Sequence, residues 1–153
     1  MSRGLLAVCL GVAFFALAPA RAADADDFYL QAQGGLRWET RRLVQYGFSG
    51  GYYPWNELGI GLFADLTQDG SRGQYGGEFR WSFEPFEIDL RLGILRQSDA
   101  NTGVTVGRFM GAAGLSYLVA LTSSLAAKIE VRYHGFIRER STLFTGLGGR
   151  ILF

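Results

Sequence analysis

The chain is short of cysteine, proline and net charge, and each shortage excludes something. One cysteine, Cys9, occurs in 153 residues. It falls inside the N-terminal apolar segment described below, so the remainder can form neither a disulfide nor a thiolate metal site. Proline is scarce at 3 while glycine reaches 22, a balance that suits strands joined by tight turns, because glycine weakens a helix interior. A formal charge of +1 argues against a nucleic-acid binder working through a broad cationic surface. Beyond the N-terminal segment there is no run of about eighteen apolar residues, so no helical membrane span is expected. No phosphate-cradling glycine loop, metal-ligand cluster or pair of catalytic carboxylates can be placed, and no cofactor is expected. No repeat longer than a hairpin rhythm is evident. At 153 residues the chain is enough for one domain and not for two.

What is present begins with a secretory leader. Arg3 supplies its positive start, residues 5–17 its apolar core, and Ala20-Arg21-Ala22 a small-x-small cleavage site. Cleavage after Ala22 divides the chain into a signal peptide, residues 1–22, and a mature domain, residues 23–153. Cys9 sits within the apolar core, not at its end, which excludes a lipoprotein anchor.

After an acidic stretch at residues 23–27, nearly everything alternates with period two. Leu30, Ala32, Gly34, Leu36 and Trp38 share one face; Gln31, Gln33, Gly35, Arg37 and Glu39 share the other. The pattern recurs in seven further runs, through Val44–Tyr52, Leu58–Leu66, Tyr75–Phe83, Phe86–Ile94, Phe109–Tyr117, Ala127–Tyr133 and Leu143–Phe153. Each run is near the length that crosses a bilayer at a tilt. The connections alternate as well. Tyr53-Pro54-Trp55-Asn56, Glu84-Pro85 and Thr122-Ser123-Ser124 read as tight turns. Residues 39–41, 67–73, 97–103 and 138–141 read as longer polar loops at the opposite end.

Alternation alone does not say which face is inside, since a soluble ligand-binding barrel shows the same period. Three features put the apolar face outside. The apolar set of about five residues per strand would overfill an eight-stranded interior. The polar face mixes charges with many glycines, which make room in a narrow lumen. Aromatics gather near both strand ends: Phe28, Tyr52, Trp55, Phe83, Phe86, Tyr117 and Phe153 toward the turns, Trp38, Tyr75, Phe109 and Tyr133 toward the loops. Two membrane interfaces call for two such belts. The expected fold is all-β: an eight-stranded antiparallel up-and-down transmembrane β-barrel.

The final stretch, Leu143, Thr145, Leu147, Gly149, Ile151 and Phe153, resembles the assembly signal of outer-membrane barrels, an alternating strand ending in Phe. The whole mature chain resembles the small eight-stranded outer-membrane barrels of the OmpA and OmpX type. That resemblance implies the outer membrane of a Gram-negative bacterium as location, with outer-membrane lipid, lipopolysaccharide and the barrel-assembly machinery as partners. It implies an architecture and leaves activity and oligomeric state open.

Three sets of residues carry candidate chemistry. The polar face holds Glu57, Asp65, Glu78, Glu87, Asp89 and Glu130 with Arg37, Arg80, Arg91, Arg108, Lys128, Arg132 and Arg150. Near-balance of sign suits a lumen plugged by ion pairs more than an open charged pore. The one histidine, His134, is followed by Gly135 and Phe136. Lipid A deacylase barrels, a weaker resemblance, use a His-x-Ser pair late in the chain with a downstream Glu. Here Phe136 stands where that Ser belongs, and parity turns His134 inward. At the loop end Arg41, Arg42, Arg138 and Arg140, with Arg72 and Arg96, outnumber Glu39, Asp69, Asp99 and Glu139. Arginine matches phosphate bidentately, so Arg41, Arg42, Arg138 and Arg140 are the expected lipopolysaccharide-binding residues. The function expected is structural or interaction-based, with lipid A deacylation and a narrow channel as alternatives.

Overall fold

A computed structural model describes residues 23–24, 26–39, 42–98, 104–136 and 141–153. The leader and its cleavage site lie outside the described residues. Eight strands follow in order: β1 (Phe28–Trp38), β2 (Arg42–Trp55), β3 (Leu58–Thr67), β4 (Arg72–Phe83), β5 (Phe86–Ser98), β6 (Thr105–Ala120), β7 (Leu125–Phe136) and β8 (Thr142–Leu152). Each pairs antiparallel with the next, and β8 returns to β1, so the sheet is a closed barrel. Closure leaves no sheet edge, which is what allows strands to sit in hydrocarbon.

The stagger can be followed through the pairing. Starting at Tyr29, the ladder passes Gly51, Gly61, Glu78, Arg91, Ala112 and His134 and arrives on β8 at Thr142. The residue of β8 that pairs directly with Tyr29 is Leu152, ten positions on. A shear of that size tilts eight strands by roughly 40° and leaves an interior that side chains fill.

Every strand obeys the expected parity. Leu62, Leu92, Phe109 and Leu147 on the outer wall are 66–75% exposed, whereas Arg80, Glu87, Asp89 and Arg132 inside are 0% exposed. An apolar exterior around a charged interior inverts a soluble protein and matches a barrel solvated by lipid. The turn-end aromatic belt is continuous in part: Trp81, Phe83, Phe86 and Tyr117 stack in sequence at centroid spacings of 5.2, 6.1 and 5.5 Å.

Two expectations need correction at the β2–β3 connection. Tyr53, Pro54 and Trp55 belong to β2, not to a turn. The register shifts between Tyr52 and Trp55, where two residues of β2 face one of β3. Such a bulge accommodates a proline in a strand. Tyr53 keeps the inward parity of Gln45, Gly47, Ser49 and Gly51 and is fully buried, while the bulge turns Trp55 outward. The turn itself is Asn56-Glu57. Glu57 adopts φ 66° there and is solvent-exposed, so it is not a lumen residue. Arg108 keeps its inward parity but is only half-buried near the loop end. The loops are also shorter than expected, because Gln97 and Ser98 still ladder with Val106 and Thr105.

The acidic N-terminal stretch is tied beneath the barrel. Asp26 N donates to Tyr53 O at 2.7 Å, Tyr53 N to Asp27 O at 2.8 Å, and Glu57 N to Ala23 O at 3.1 Å. Ala23 is buried against Tyr29, Tyr53 and Leu152, closing the turn end of the lumen.

The inward glycines have two separate causes. At Gly47 and Gly114 a Cβ would run into the carboxylates of Asp65 and Asp89, so these glycines do make room for lumen charges. At Gly51 and Gly76 the obstacle is the facing backbone, the carbonyls of Ile60 and Leu92. Gly51 and Gly76 pair across strands with Gly61 and Gly93. These pairs mark places where neighbouring strands approach too closely for any side chain.

Candidate functional site

Parity delivers the charged residues of β1, β3, β4, β5, β7 and β8 to one narrow interior. Among the described residues Asp65, Glu78, Glu87, Asp89 and Glu130 are buried there with Arg37, Arg80, Arg91, Lys128, Arg132 and Arg150. Charges taken from water must be paired, since an isolated one costs several kcal/mol. They are paired densely. Glu87 accepts from Arg80, from Lys128 Nζ at 3.1 Å and from Arg150 at 2.9 Å. Glu78 Oε1 accepts from Tyr29 Oη at 2.7 Å and Arg80 at 2.8 Å, and its Oε2 forms an ion pair with Arg91 at 3.0 Å. Asp65 receives Arg91 at 3.1 Å and Arg132 at 3.4 Å. Asp89 receives the Nε of Arg132 at 3.2 Å, and Glu130 takes Lys128 at 3.1 Å together with Arg132.

Aromatic side chains on the inner face complete the packing. Arg80 lies 4.7 Å over the Tyr29 ring, Arg91 4.7 Å over Phe63 and Arg132 5.7 Å over Phe144. The inward Phe63 and Phe144 interrupt the polar alternation in the sequence. Each offers a π face to a guanidinium, a favourable contact away from water. This lumen is a cross-linked plug of charges and rings.

His134 is 0% exposed on the lumen face, between Ala112 of β6 and Thr142 of β8. Burial inside the wall separates it from the outer surface where lipid lies. Ser141 is exposed outside the strand. The structure therefore does not bring this imidazole and hydroxyl together at a lipid-facing site.

The loop-end rim has a different character. Trp38 and Arg42 pair across the β1–β2 hairpin. The indole Nε1 of Trp38 donates to Thr145 Oγ1 at 2.9 Å, which fixes the ring. The guanidinium of exposed Arg42 lies 4.8 Å over that ring. Stacking on an anchored indole holds the cation in place while its donors stay available. Nearby, Arg72 and Arg37 both pair with Glu39, and Arg96 is exposed on β5. Asp69 is occupied within its own turn by Thr67 Oγ1 at 2.7 Å and Ser71 Oγ at 2.8 Å. The sequence signal for the Trp38–Arg42 stack is two outward residues flanking one short loop. Of the four expected binding arginines, Arg41, Arg138 and Arg140 lie outside the described residues. Among the described residues no group of three His, Cys, Asp or Glu could hold a metal ion.

A closed eight-stranded antiparallel barrel with an apolar wall and an ion-paired lumen defines the fold class of the small transmembrane β-barrels. Among solved structures, the N-terminal β-barrel domain of Pseudomonas aeruginosa OprF superposes with a TM-score of 0.71 at 17% identity, covering 87% of this chain and 100% of that one. Neisserial surface protein A gives 0.62 at 12% identity, covering 83% and 96%. Ail, the attachment invasion locus protein of Yersinia pestis, gives 0.51 at 9% identity, covering 85% and 99%. At these identities the likeness is one of fold, and the fold is that of small outer-membrane barrels. No family model and no curated protein sequence matches the chain.

Proposed function

We propose that this protein spans the outer membrane with its loops outward and acts as an interaction protein whose arginine rim engages the phosphates of lipopolysaccharide. The observation that carries the reading is the end-to-end separation of exposed charge. At the loop end Arg42, Arg96 and Asp69 are exposed, and half-buried Arg72 pairs with half-buried Glu39. At the turn end the described residues present exposed Asp24, Asp26, Glu57 and Glu84 and half-buried Asp27, with no exposed Lys, Arg or His. A cationic outer rim suits a leaflet of phosphorylated glycolipid. Arg42 is held over the ring of Trp38 in the loop-end aromatic belt, with its donors turned to solvent. Ail, of the same fold, has been crystallised with the heparin analogue sucrose octasulfate, so one barrel of this shape is known with a polyanion.

The test is lipopolysaccharide association by the refolded protein. Replacing Arg41, Arg42, Arg138 and Arg140 with Gln should weaken it about tenfold or more, and added salt should weaken it in the parent. Unchanged affinity in the fourfold variant would contradict the proposal.

A further inference from the structure

The outer wall is not smooth. A concave groove of about 570 Å³ runs across β8, β1, β2 and β3, with an edge on β7. Small residues, Ala32, Gly50, Ala64 and Gly149, give it depth, and Phe48 and Leu62 rise beside them, 62% and 72% exposed. The register explains the depression. Ala32 is flanked by Phe48 on one side and Gly149 on the other, and Ala64 adjoins Phe48 across β2–β3. Phe48 thus rises between two hollows of small residues, Gly149 with Ala32 on one side and Ala64 on the other, and Gly50 adjoins it along β2.

Its position selects an occupant. The outward residues of β1 run from Phe28 at the turn end to Trp38 at the loop end, and the groove takes the second and third, Leu30 and Ala32. It therefore lies in the turn-end half of the wall. In the orientation proposed above, on which this inference rests, that half faces the periplasmic leaflet, away from lipopolysaccharide. Asp24, Asp26 and Asp27 lead into β1, and Glu57 caps the β2–β3 turn, so four carboxylates sit below the strands that form the groove. A second copy would present a convex wall, and a stable pair needs about 800 Å² from each partner. The groove volume instead falls within the range of about 300–1,000 Å³ typical of sites for single small ligands.

We propose that this groove is a binding site for one phospholipid of the periplasmic leaflet, its acyl chain seated over Ala32, Gly50, Ala64 and Gly149 and its primary-amine headgroup facing the acidic turn end. The apolar lining supplies the attraction for the chain by close packing, the force that remains where hydrocarbon already surrounds the protein. The carboxylates supply selection, favouring an ammonium headgroup over an uncharged glycerol one.

Native mass spectrometry of the full barrel in detergent tests this. The protein is equilibrated with equal amounts of phosphatidylethanolamine and phosphatidylglycerol of matched chains, with purified lipopolysaccharide in a parallel sample. The parent should retain one phosphatidylethanolamine, preferred about tenfold. Ala32→Leu with Ala64→Leu fills the groove from the lipid side without touching the lumen, and should cut retention of both phospholipids about tenfold. Asp26→Asn with Glu57→Asn alters two positions of positive φ, where asparagine is well tolerated, and should keep retention while levelling the preference. Heat-shifted mobility on gels confirms that each variant is folded. Since the lipids are defined and no bilayer is present, failure here leaves the lipopolysaccharide reading standing, and failure of the arginine variant leaves this site standing. No retained phospholipid, equal retention by the filled variant, an unaltered preference in the charge variant, lipopolysaccharide lost on filling the groove, or a dimer mass in place of a lipid adduct would each overturn the proposal.

Discussion

At Glu87 one carboxylate serves three cations at once, Arg80, Lys128 and Arg150, each from a different strand. It joins β4, β5, β7 and β8 through the lumen, so its charge is shared across half of the wall. Replacing it with Gln keeps the shape and removes the charge, leaving three buried cations short of a counter-ion. Breaking a buried pair from one side costs about 3–5 kcal/mol. Glu87→Gln should lower stability by that order, read as an earlier midpoint in urea unfolding from lipid vesicles. Arg150→Met, which leaves Glu87 two other partners, should cost less. Equal midpoints for Glu87→Gln and the parent would show that the lumen network does not hold the strands together.

At the scale of strands, glycine spacing becomes a matter of backbone approach. Gly76 points inward against the carbonyl of Leu92, while its neighbour Gly77 points outward with its nearest obstacle 3.9 Å away. Gly76→Ala should therefore reduce folded yield or cost about 1–3 kcal/mol, and Gly77→Ala should be tolerated. Similar yields for both would contradict the close pairing of β4 with β5. The strands and their faces were readable from the sequence because period two needs only parity and a hydrophobic contrast. The β2–β3 connection was not, because Pro54 signals a turn wherever a bulge does not absorb it. Reading that segment as a turn also hid Tyr53, which simply continues the inward parity of β2, and Glu57 lies outside because β3 starts only at Leu58. Lumen partners were beyond sequence reasoning for a different reason. Arg132 and Asp65 are 67 residues apart and meet only because closure sets β7 across the lumen from β3 and the shear brings the two to one height. Arg42 was legible as a rim cation, but its seat over Trp38 depends on hairpin register that residue types alone do not set.

For the molecule as a whole, ion pairs from Glu78, Glu87, Asp65 and Asp89 cross the lumen among the described residues, and an eight-stranded interior is one that side chains fill. Planar-bilayer recordings of pure protein should show no large steady conductance, and a stable porin-sized step would contradict the plug. The apolar wall makes the stronger demand, because residues such as Leu62, Leu92 and Phe109 require lipid around them. Cell fractionation followed by gel electrophoresis with and without boiling reads that demand directly. The protein should travel with outer membranes, and its unboiled band should run apart from the boiled one, because a closed barrel keeps all its strands paired. Recovery in the soluble periplasmic fraction, with one band regardless of boiling, would contradict it.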